Sequence, residues 1–131
     1  MSVIPSMAAG LAQLQALATF LDSGSSFATI SMYKGTKPAN VSVAANLSDQ
    51  LVTMNLPEPC FKQLNMDSIE LYPTDAATVT QAGTATWARL YNGNGEGVAD
   101  FAVGTDITLA NPSLALGSTL MINSIVLRPS T

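Results

Sequence analysis

Apolar residues recur every three or four positions near the start of the chain, and nearly every second position in several stretches after residue 26. The first pattern predicts one helix over 5–22. Met7, Leu11, Leu14, Leu17, Ala18 and Leu21 form its apolar stripe. Ala8, Ala9, Ala12 and Ala16 add helix propensity. Pro5 suits a first helical position, with Ser2 or a neighbour as the cap, and Gly24 suits a left-handed stop. The opposite face, Gly10, Gln13, Gln15 and Thr19, is small and polar, and no charge appears before Asp22. A solvent-facing helix surface usually carries Lys and Glu, so both faces of this helix are expected to touch protein.

The period-two pattern predicts strands over 27–33, 51–56, 68–72, 84–91, 97–103, 107–109 and 119–127. Lys34-Gly35-Thr36-Lys37-Pro38 and Pro73-Thr74-Asp75 read as turns, and Pro57-Glu58-Pro59 breaks the second strand. Asn92-Gly93-Asn94-Gly95-Glu96 joins two alternating runs, which predicts a hairpin with positive φ in its turn. Six to eight short strands at regular spacing define a mainly β protein, an antiparallel β-sandwich of jelly-roll or Ig-like type with one N-terminal α-helix. The expected division is an arm and helix over 1–24 and a sandwich domain over 25–131.

Composition narrows the function. The chain has 131 residues, 47% apolar and 11% charged, which suits a folded domain and not a disordered one. Five basic residues and a net charge of −4 make a poor partner for nucleic acid or anionic lipid. Histidine is absent, which removes the commonest general base and metal ligand. No acidic residues follow the spacing of a calcium loop. Neither a basic leader nor an apolar run of membrane-spanning length is seen, so a cytoplasmic site of synthesis is expected. The single cysteine, Cys60, follows Pro59 and reads as a small buried residue, not a nucleophile. No catalytic residue, cofactor or metal is therefore expected, and a hydrolase built on carboxylates alone is the weakest of the readings.

Ser and Thr outnumber charged residues, 26 against 14, so the surface is polar but weakly charged. Such surfaces favour association, which predicts a homo-oligomer. Trp87, Arg89 and Tyr91 share one strand face. They read as a core Trp with a polar rim or, in a second reading, as a carbohydrate-stacking stripe flanked by the 92–96 turn.

Longer segments carry a resemblance. The helix ends in Leu17-x-x-Phe20-Leu21-Asp22-Ser23-Gly24 and leads into Ile30-Ser31-Met32-Tyr33-Lys34-Gly35-Thr36-Lys37-Pro38. Gly83-Thr84-Ala85-Thr86-Trp87-Ala88-Arg89-Leu90 follows, then Val98-Ala99-Asp100, Asp106-Ile107-Thr108-Leu109 and Gly117-Ser118-Thr119-Leu120. This order resembles a family of small proteins encoded among the virion morphogenesis genes of tailed bacteriophages and prophages. The likeness covers most of the chain and departs from the family at Asn92-Gly93-Asn94-Gly95, where relatives carry an acidic turn. It implies a non-enzymatic virion subunit, decorating the capsid or forming part of the tail, with other virion proteins as partners and assembly in the host cytoplasm. The alternative is a host-surface carbohydrate-binding module of the tail tip. Candidate partner-binding residues are Val3, Ile4, Met7, Leu11 and Leu14 on the arm and helix, and Asn92 and Asn94 in the hairpin turn.

Overall fold

A computed structural model describes residues 4–109 and 111–129. Val3 lies outside the described residues. Within them the protein is mainly β, with several small antiparallel sheets and a single N-terminal helix.

Helix α1 spans Met7–Leu21. Its start differs from the expected one. Ser6, not Ser2, is the cap, and its hydroxyl accepts the Ala9 N–H at 3.2 Å, leaving Pro5 outside the helix. The helix stops at Asp22, and Gly24 follows at φ +106°. Ala18 and Leu21 are buried in the same apolar core as the strands, with Leu11, Leu14 and Leu17 packed against it. Leu21→Ala would cost about 2–5 kcal/mol by the usual cavity argument. Gly10 belongs to this inner face, contrary to its expected outward position, because a side chain there would meet Pro129 beyond the last strand. The helix therefore packs on its own chain.

Strands β1 (Thr29–Tyr33), β2 (Gln50–Asn55), β7 (Trp87–Tyr91) and β8 (Gly97–Ala102) form one antiparallel sheet in the order β2-β1-β7-β8. Register places Met54, Ile30 and Leu90 in one cross-strand row, and Val52, Met32, Ala88 and Phe101 in the next. These rows face the core. A second sheet, β11-β4-β3, combines β3 (Phe61–Leu64), β4 (Ile69–Leu71) and β11 (Ile125–Leu127), and contributes Ile69, Leu71, Ile125 and Leu127 to the same core. Two-stranded ladders join β5 (Ala77–Thr78) to β10 (Thr119–Leu120), and β6 (Gly83–Thr84) to β9 (Ser113–Leu114).

Two expected strands are divided. In 119–127 the backbone of Ile122 exchanges hydrogen bonds with Thr74, its N–H donating to Oγ1 and its carbonyl accepting the Thr74 N–H, both at 3.0 Å. That exchange pulls residues 121–124 out of any ladder. In 84–91 the chain changes partner. Ala85 N–H donates to Pro112 and Thr86 N–H to Tyr33, so β6 pairs with β9 and β7 with β1 and β8. The expected strand at 107–109 is reduced to one bridge between Val103 and Ile107.

Candidate functional site

The face of the four-stranded sheet away from the core is polar and aromatic. One row runs Thr53, Ser31, Arg89, Asp100, and the next Gln50, Tyr33, Trp87, Ala102. Arg89 grips Asp100 with two hydrogen bonds, Nε at 2.6 Å and Nη2 at 3.0 Å. Both side chains are nearly buried, at 3% and 6% exposure. The hydrogen bonds to Asp100 hold the guanidinium pKa above its ordinary value. Trp87 stacks on Tyr33 at 4.3 Å between ring centroids, and Arg89 lies 5.3 Å from the Trp87 ring. The hydroxyls of Tyr33 and Tyr91 share a hydrogen bond of 2.5 Å. Burial and that hydroxyl raise the Tyr33 pKa.

The segment between β1 and β2 crosses this face and closes it. The Val43 carbonyl accepts a hydrogen bond from Arg89 Nη1 at 2.8 Å, the Gly35 carbonyl accepts one from Thr86 Oγ1 at 2.6 Å, and the Val41 side chain lies over Gly97. Trp87 is left 2% exposed. Its Nε1 is the single buried side-chain polar atom without a partner among the described residues. The face is thus a covered polar tier in which the Tyr33 and Trp87 rings are buried, while Tyr91 at its edge is half-buried.

The hairpin turn is also committed internally. Asn92 is buried, its Oδ1 accepts the N–H groups of Asn94 and Glu96 at 3.0 Å each, and its Nδ2 donates to Glu96. Gly95 supplies the expected positive φ, at +80°. Gly93 N–H donates to Ser23, and Ser26 N–H donates to the Gly93 carbonyl. A side chain at Gly93 would strike both serine carbonyls. Of the two candidate asparagines only Asn94 is exposed.

The arm and helix candidates divide similarly. Leu11 and Leu14 pack on the chain's own core, Leu14 also walling a groove of about 240 Å³ with Leu17, Ala99, Phe101 and Val126. Ile4 and Met7 are exposed. The outward face of α1, with Ala8, Ala9, Ala12, Ala16, Thr19 and Phe20, is exposed and carries no charge.

Several acidic groups have structural partners. Asp22 accepts the Cys60 N–H at 3.1 Å, Glu70 pairs with Lys62 at 3.2 Å, and Asp106 accepts the Ala102 N–H at 2.9 Å. Among the described residues no three His, Cys, Asp or Glu side chains are grouped to hold a metal ion. No described helix is long and apolar enough to cross a membrane. Cys60 is fully buried, with its thiol directed at the Ala18 carbonyl. Burial, with Asp22 beside it, pushes the thiol up to about 12, which makes it a poor nucleophile.

A second exposed feature was not visible in the sequence. A groove of about 420 Å³ runs between α1 and β3, lined by Gln15, Ala18, Thr19, Pro59, Phe61 and Leu64 along with Asp22. Met66, in the turn beyond Leu64, is 93% exposed. Comparison with protein-family models, with curated proteins and with solved structures finds no match to this chain.

Proposed function

We propose that the protein is a non-enzymatic auxiliary subunit of a tailed-bacteriophage virion, on the capsid or in the tail, and works through repeated protein–protein contacts. The observation that carries this reading is the outward face of α1. Fifteen residues, Met7–Leu21, include no charged side chain, yet only one side of the helix is used by its own core. A helix exposed to water on that side would normally carry charge, and the surface left open suits burial by a neighbouring subunit. The resemblance of the helix end, the Tyr33-Lys34-Gly35-Thr36-Lys37-Pro38 segment and the Trp87 strand to virion proteins points the same way. In this reading the four-stranded and three-stranded sheets are the two layers of a β-sandwich, jelly-roll or Ig-like in type, with α1 closing one side of the shared core. The protein assembles in the host cytoplasm and resides in the virion.

The alternative, a carbohydrate-binding module of the tail tip, needs an exposed aromatic surface at Trp87 and Tyr91. It requires the 35–49 segment to move aside, since Trp87 is enclosed beneath it. The copy number of the chain in purified particles tests the virion reading.

A further inference from the structure

Antiparallel neighbours such as β1 and β2 are usually joined by about two to five residues. Here the connection runs over 34–49, and its two ends meet, with Lys34 N–H donating to the Asp49 carbonyl at 3.0 Å. A long loop with joined ends is an Ω-loop, and loops of that form are frequently functional. None of its residues is buried, and none belongs to the apolar core. Its own turns are closed internally, Asn40 Oδ1 accepting the Ser42 N–H at 3.0 Å and Asn46 Oδ1 the Ser48 N–H at 3.1 Å. Besides the bonds at its two ends, three hydrogen bonds among the described residues fasten it to the rest of the chain. Each is donated by a side chain outside the loop to a loop carbonyl: Thr86 to Gly35, Arg89 to Val43, and Gln81 to Ser48 at 2.7 Å.

The face beneath holds together without the loop. The Tyr33–Trp87 stack joins β1 to β7, and the Arg89–Asp100 pair joins β7 to β8. What the loop adds is exclusion of water from Trp87, and its match to that ring is incomplete. No loop carbonyl meets Trp87 Nε1, which stays buried without a partner. A buried donor left unpaired costs free energy that contact with water returns. Ring burial and three single hydrogen bonds thus hold the loop down, and the orphan donor favours its lifting. We propose that 34–49 is a cover that opens as a unit while the four-stranded sheet stays folded. The open form is the minor state, and it uncovers Thr86 Oγ1, Arg89 Nη1 and Trp87 Nε1 together. Opening is independent of the virion reading, which concerns the outer face of α1.

Hydrogen exchange of the full chain, followed by NMR, tests the cover. Trp87 is the single tryptophan, so its indole proton is one resolved signal. That proton is expected to exchange roughly a hundredfold faster than the amides of Ile30 and Leu90, which lie on the inner strands and exchange only when the sheet itself opens. Thr86→Val removes one fastening bond at an exposed position. It is expected to speed indole exchange roughly three- to tenfold while the Ile30 and Leu90 amides keep their rates. Val41 Cγ1 lies 2.8 Å from where a Gly97 Cβ would stand, so Val41→Cys with Gly97→Cys places two thiols within disulfide reach across the closed cover. When oxidised, this variant is expected to slow indole exchange roughly tenfold or more relative to the Ile30 and Leu90 amides, and reduction to restore it. An indole proton that exchanges in step with the inner-strand amides, a Thr86→Val variant with the wild-type rate, or a cross-link that leaves the ratio unchanged overturns the proposal.

Discussion

Arg89 and Asp100 show how much a single pair can decide in this chain. Both side chains are almost fully removed from water, and each supplies the other's main partner. Arg89→Met leaves a carboxylate buried and unpaired, and is expected to lower stability by about 3–5 kcal/mol in urea unfolding. A loss below roughly 1 kcal/mol, the value of a surface pair, would contradict the burial. Cys60 and Tyr33 give a pH dependence with a definite sign. Both have folded-state pKa values raised above their ordinary 9.0 and 10.0, Cys60 to about 12. The folded state therefore holds these protons more tightly than the unfolded chain. Their stabilisation is complete below pH 9 and is lost as pH climbs from 9 toward 12. The urea midpoint is expected to fall across that window, and Cys60→Ala to flatten part of the fall. Trp87 is the single tryptophan, so its fluorescence reports the covered face directly. Blue-shifted emission and weak acrylamide quenching are expected, and strong quenching in the folded protein would show the tier open to ligand.

At the scale of elements, the helix end and the hairpin turn meet in a close backbone joint. Gly24 and Gly93 bring two backbones together, since a Cβ at Gly24 would lie 2.5 Å from the Gly93 carbonyl carbon. Gly93→Ala is expected to cost roughly 1–3 kcal/mol by overpacking or more, because the clash is with backbone. Gly95→Ala meets open space and bears only the penalty of positive φ, about 1–2 kcal/mol. Thermal melts that rank these two in the opposite order would contradict the joint. The sequence made some of these elements legible and hid others for physical reasons. Ile30 with Met32, and Ala88 with Leu90, alternate cleanly because one sheet face meets the core. Strands of two residues, such as Ala77–Thr78 and Ser113–Leu114, have no period to read. The break at Ile122 depends on Thr74, far away in sequence. The same holds for the covered tier. Trp87, Arg89 and Tyr91 were visible as one face, but Asp100 was not visible as the partner. Counting back from the Tyr91–Gly97 pair sets Arg89 against Ala99, and only the register shift between Leu90 and Tyr91 moves it to Asp100. The 35–49 cover left no periodic trace at all.

For the whole molecule, the shared core joins α1 to the sheets, so the helix is not a detachable arm. What remains open is surface: the uncharged outer face of α1 and the exposed side chains of Ile4 and Met66. In the proposed virion reading, these open surfaces are the ones that neighbouring subunits would cover. The alternative use of the molecule, sugar stacking, would draw on Trp87, which the fold encloses, and on the half-buried Tyr91. The measurement that bears most directly on the virion reading is quantitative mass spectrometry of purified particles, counting this chain against the major coat protein. A virion subunit is expected at a fixed, integral stoichiometry: comparable to the coat for a capsid-decorating subunit, or a small symmetric number for a tail component. Absence of the chain from intact particles would contradict the virion reading.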